Sequence, residues 1–103
     1  MKIIKTLSCK IEDELEDAES YAKLANELKD ERPGLAKTLY TISTQEMDHM
    51  RMLHEAVEQI IAEYREEKGD PPAAMQAVYE FLHARHIDKA RDVKTMQALF
   101  RGE

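Results

Sequence analysis

Apolar residues recur at steps of three and four along the first part of the chain. Leu7, Ile11, Ala18, Ala25 and Leu28 share one stripe, and the stretch from Thr6 to Asp30 holds neither Gly nor Pro. That spacing predicts an amphipathic helix over 6–30. Asp30-Glu31-Arg32-Pro33-Gly34 interrupts it, and Pro33, whose missing N–H costs nothing in a first turn, opens a second helix. The second stripe reads Leu39, Ile42, Leu53, Ala56 and Ile60, with Met47, Met50, Val57 and Ile61 broadening it to one side. So broad an apolar arc suits burial on two sides rather than against one neighbour. Gly69 and Pro71-Pro72 end this helix, which gives bounds of 33–68 and a length of about 50 Å. A third helical region, 72–101, carries Met75, Val78, Tyr79 and Leu82, fades through Arg85-His86-Ile87-Asp88, and resumes with Val93, Met96, Leu99 and Phe100. Asp88 can cap a separate last helix, so a break near 86–88 and one continuous rod both stay open.

Three polar residues stand in the apolar stripes. Glu14 falls between Ile11 and Ala18, and Glu46 and His49 fall between Ile42 and Leu53. Two helices joined by so short a turn run antiparallel. Counted from a bend near residues 31 to 32, all three lie roughly 22 to 26 Å along their helices, at one height. The expectation is an interior polar layer, and an interior carboxylate must find a proton, a cation or a metal. Glu46-Met47-Asp48-His49 spells Glu-x-x-His, whose two donors share a helix face and can hold one ion. On its own this tetrapeptide is a weak signal. The outer faces are already populated by Asp13, Glu16, Asp17, Glu19, Asp48 and Arg51, which argues against a solvated reading; a simple Glu–His hydrogen bond in the core is the alternative. Tyr21 fits equally as a core tyrosine with a satisfied hydroxyl.

Composition narrows the class. With 103 residues, 43% hydrophobic and 35% charged, three Gly, three Pro and no Trp, the chain reads as a single all-α domain over 1–103 with a thin core, for which self-association is expected. A net charge of −6 with no stripe of Lys and Arg argues against nucleic acid. Cys9 is the sole cysteine, so a disulfide or Cys-based cluster within one chain is excluded and a reducing cytoplasm fits. The basic, apolar opening Met1-Lys2-Ile3-Ile4-Lys5 is too short for a signal-peptide core, and no apolar run nears the roughly 20 residues of a membrane span, so no membrane association is expected.

Glu14, Tyr21 seven positions on, and Glu46-x-x-His49 on the next helix together resemble the first half of the ferritin-like di-iron carboxylate proteins, the rubrerythrin-like and encapsulated-ferritin-like branches included, over about residues 7 to 65. Such proteins hold two metals in a four-helix bundle, between one Glu from each of two helices and a Glu-x-x-His from each of the other two. This chain has half of that set. A second Glu-x-x-His, Glu80 to His83, lies off the apolar stripe of the third region and does not complete it. The resemblance therefore implies a ferritin-like antiparallel hairpin that forms its four-helix bundle as a homodimer or larger homo-oligomer, with two ions per dimer. It implies iron, with manganese or zinc able to occupy the same donors, and oxidation of ferrous ions by oxygen or peroxide. Glu14 would be a terminal ligand, Glu46 a bridging ligand and His49 the third, with Tyr21 hydrogen-bonding the site or donating an electron. The single cysteine rules out the Cys-rich module of rubrerythrin proper, and the tail from Met96 to Glu103 is not a convincing encapsulation peptide, although a protein compartment within the cytoplasm stays open. His54, His83 and His86 read as surface or interface histidines, with extra metal binding as the alternative. Two other functions remain: a helical adaptor with a degenerate bundle, and a dimer merely stabilised by metal.

Overall fold

The computed structural model describes residues 2–103, which form three helices and no strand: α1 (Lys2–Leu28), α2 (Pro33–Lys68) and α3 (Ala73–Phe100). The turns follow from local chemistry. Arg32 N–H reaches Leu28 O at 2.9 Å to close the end of α1, and Pro33 then sets the first backbone angle of α2, which begins without a side-chain cap. Gly69 takes φ 79, open only to a residue without Cβ strain, and its N–H bonds Arg65 O to stop α2. Pro72 stands immediately before α3. The helix α1 starts at Lys2 rather than 6 and ends at Leu28 rather than 30, and α3 runs unbroken through 85–88. No helix among the described residues is long and apolar enough to cross a membrane.

Pairings fix the topology. Ser43 meets Ala18 and His49 meets Glu14, so α1 and α2 are antiparallel. Arg85 meets Glu12, Asn26 meets Met96 and Lys29 meets Phe100, so α3 returns parallel to α1. The result is a rod of 56 × 20 × 17 Å.

The buried stripe of α1 is Ile4, Ser8, Ile11, Leu15, Ala18, Ala22 and Ala25; that of α2 is Ala36, Leu39, Ser43, Met47 and Val57. This corrects the expected seams. Ile11, Ala18, Ala25 and Leu39 are shared with them, whereas Leu7, Glu14, Tyr21, Ile42, Glu46 and Leu53 are only half-buried and His49 is exposed. The cause is α3. It seats Val93, His86 and Gln97 in the groove between the other two helices and draws the buried arc of the hairpin toward itself, leaving the expected seam on the flank.

Near the turn the contact is made by small residues, which bring the helix axes close. Ser43 Oγ donates to Ala18 O at 2.6 Å and accepts from Gln97 Nε2 at 3.0 Å, tying all three helices with buried hydrogen bonds. Tyr40 and Phe100 stack at 4.7 Å, and Arg101 bonds the Tyr40 hydroxyl at 2.8 Å. Farther along, Lys89 bridges Glu12 and Glu16 while Arg85 also reaches Glu12. These exposed pairs add little stability but mark the register of α3 on α1.

Ser43→Ala should cost about 1 to 2 kcal/mol, because buried Gln97 then lacks its acceptor, and Ser43→Val should cost more by overpacking a fully buried contact. Urea unfolding of the two variants checks this; equal stability of Ser43→Val and wild type would show that the close helix approach is not what holds α3.

Candidate metal centre

Glu14 sits midway along α1, and Glu46 and His49 one turn apart on α2; the antiparallel hairpin brings them to one level. One ligand atom from each lies within 4.8 Å of the other two, the sole group of three such residues meeting that test among those described. Height along the helices and the three-residue step of Glu-x-x-His account for the convergence.

The layer lies at the rim of the core rather than inside it, because α3 occupies the opposite side of the hairpin. The Glu14 side chain is 26% exposed and that of His49 56%. Glu14 Oε2 is nevertheless buried with no hydrogen-bond partner among the described residues, and His49 Nδ1, 3.6 Å away, is too distant to supply one. Such an orphaned acceptor costs about 1 to 3 kcal/mol until something positive reaches it. Glu46 shows the same demand: a hydrogen bond with Glu14, partial burial and the Glu14 charge push its carboxyl up to about 7, against an opposing pull from His49. Positive charge, from a proton or a cation, is what this pair of carboxylates favours.

Tyr21 lies two turns along α1 from Glu14, half-buried on the same flank, with no hydrogen bond to the carboxylates. Glu80 points outward and accepts from Gln76 at 3.3 Å, so the second Glu-x-x-His does not join the group. His83, its other half, turns toward α2 and stacks on His54 at 5.0 Å. That meeting of histidines was missed by sequence reasoning; the only signal was the three-residue step from His83 to His86.

The family model described as Rubrerythrin matches residues 5–98, nearly the whole chain. The chain belongs to the rubrerythrin family. This is a ferritin-like di-iron carboxylate family, and iron is what its members typically bind. No curated protein and no solved structure matches the chain. The residues present fit the metal that the rubrerythrin family implies: two carboxylates and an imidazole suit a divalent ion of intermediate hardness, and the buried Glu14 oxygen without a partner among the described residues and the raised Glu46 carboxyl would both be stabilised by positive charge between them.

The sign of the Glu46 shift sets a pH dependence. The folded chain holds a proton that the unfolded chain, at the ordinary value of 4.5, has released, so without metal folding stability falls as pH rises from about 4.5 through about 7. Glu46→Gln should remove that slope and leave the metal-free protein more stable than wild type at pH 8, by on the order of 1 kcal/mol. Metal binding to wild type should weaken as pH falls below about 7, since the ion must displace this proton. Thermal melts of metal-free protein across pH 4 to 8 check the first statement, and identical slopes for wild type and variant would refute it.

Proposed function

We propose that two copies of this chain pair through the flank opposite α3, assembling a four-helix bundle that binds two iron ions and oxidises Fe(II). The carrying observation is that Glu14, Glu46 and His49 converge on a side of the hairpin that the chain itself leaves uncovered. Around them lies an apolar surface: Leu7, Tyr21, Ile42 and Leu53 are half-buried, and Leu24 and Leu35 are 41% and 45% exposed. Apolar residues ringing polar ligands suit a protein partner, and a two-fold axis through this face doubles the set to four carboxylates and two imidazoles, the number a di-iron carboxylate bundle uses.

In this reading Glu14, Glu46 and His49 would hold the metal, in the roles that the family resemblance implies. The bound iron supplies one-electron redox chemistry at each ion. Fe(II) is the substrate, two ions giving one electron each to oxygen or peroxide. Glu46 would give up its proton as the metal binds, and the surrounding apolar side chains exclude water from the closed bundle. Tyr21, on the same flank, hydrogen-bonds the site or supplies an electron once the bundle is closed.

Anaerobic ferrous loading followed by measured oxygen uptake, with mass in solution determined alongside, tests the proposal. Wild type should be a dimer holding two irons and consuming oxygen. His49→Ala should lower the oxidation rate at least tenfold while staying dimeric. Leu24→Glu with Leu35→Glu, which touches no ligand, should give a folded monomer that no longer holds two irons per pair of chains. A dimer indifferent to iron would instead favour a helical adaptor, and iron bound without oxygen uptake a structural metal; either result overturns the ferroxidase reading.

A further inference from the structure

On the other side of α2, where α3 crosses it, three histidines from two helices gather. His54 and His83 stack with ring centroids 5.0 Å apart and planes within 20°. His86, one turn beyond His83 on the same helix, is 93% buried, and it feels the charges of both His54 and His83. Its Nε2 is buried with no hydrogen-bond partner among the described residues. Burial, opposed by Glu12 and reinforced by the other two histidines and Lys89, pushes His86 below the usual histidine range, which favours its neutral form. A buried imidazole nitrogen facing nothing is unusual in a native interior, and the two nearest imidazoles are themselves unused by the carboxylate centre.

We propose that His54, His83 and His86 form a second metal site, built of imidazoles alone and suited to a borderline divalent ion such as zinc, on the face of α2 turned away from the carboxylate centre. Spacing supports it. Two imidazoles on one tetrahedral ion, each nitrogen about 2.0 to 2.1 Å from the metal, place their ring centres roughly 5 Å apart; His54 and His83 have that separation, and their stacked planes must turn to bring one ion into the plane of both rings. The three ligand nitrogens do not lie within 4.8 Å of one another, so closure takes reorientation of these side chains. One nitrogen of His54 is already engaged: Nε2 lies 2.9 Å from Glu58 Oε1, which leaves Nδ1 for an ion, the carboxylate–imidazole–metal arrangement that raises ligand basicity. Tyr79 also stacks on His83, at 5.9 Å. Nearby Arg85 and Lys89 are tied to Glu12 and Glu16, which offsets their charge against a cation. Imidazole donors favour zinc, copper and nickel over manganese.

The test uses the full chain carrying Glu14→Gln and Glu46→Gln, so that the carboxylate centre is disabled and its failure cannot be confused with failure here. Zinc titration followed by calorimetry should show one ion per chain. His83→Phe, which keeps the stack, and His86→Leu, which fills the buried position without an orphaned nitrogen, should each weaken zinc at least a hundredfold while the protein stays folded. Side-chain nitrogen NMR should move all three imidazoles together on adding zinc. Zinc bound equally by the histidine variants overturns the proposal. So does a titration in which the imidazole signals stay put, which would mean that His86 is served by a buried water.

Discussion

The seat of α3 decides what the rest of the molecule can do. A two-helix hairpin of this sequence has two faces it could bury, one carrying Ser8, Leu15, Ala22, Ser43 and Met47, the other Leu7, Glu14, Tyr21, Ile42 and Glu46. Through Val93, Gln97 and His86, α3 covers the first. The buried hydrogen bonds from Gln97 to Ser43 and from Ser43 to Ala18 make that choice specific, because an apolar surface alone would let a helix slide, whereas a buried amide finds its acceptor in one register. Once α3 is placed, the carboxylate layer is at the rim and the second apolar face is without a partner inside the chain.

Rim placement has an energetic consequence. Two carboxylates that approach each other in a half-buried place resist both being ionised; here the Glu46 carboxyl is pushed up to about 7 and one Glu14 oxygen has no partner among the described residues. The hairpin is therefore locally frustrated without a cation, and a cation relieves both the charge repulsion and the orphaned acceptor. Free energy withheld from the metal-free fold becomes affinity for the ion. This is how a small chain with few ligands can hold metal tightly, provided that something closes the exposed side of His49.

Much of this was legible in the residues. Pro33, Gly69 and Pro72 punctuate the helices by backbone chemistry that depends on nothing distant, and the height of Glu14 against Glu46 and His49 follows from the helical rise and the shortness of the turn. The rotation of the seam was not legible. A stripe read from three- and four-residue spacing is about two residues wide, and Leu7 and Ser8, or Glu46 and Met47, differ by one step; which of them faces inward depends on where a third helix lies. The third helix gave little guidance, since its apolar positions are spread around the axis and its buried members include Gln97 and His86. A polar residue in a core is the feature that periodicity cannot anticipate, and the histidine cluster depends on it directly.

Small size joins these observations. A rod 56 Å long and under 20 Å in its smallest dimension has little interior, and near its turn that interior is lined by Ala and Ser. Such a chain buries too little apolar surface for both faces of its hairpin to be served from within. Growing a fourth helix in the same chain is one remedy; pairing with a copy is the other, and pairing duplicates every ligand at no cost in length. A half-set of di-iron donors on an uncovered apolar flank is the arrangement that second remedy requires, because a bundle closed within one chain would need a further carboxylate and a further inward Glu-x-x-His. Glu80 faces solvent and His83 is turned to His54, so α3 cannot provide them. The thinness of the core and the incompleteness of the metal set thus both agree with the proposed pairing on the flank that α3 leaves open.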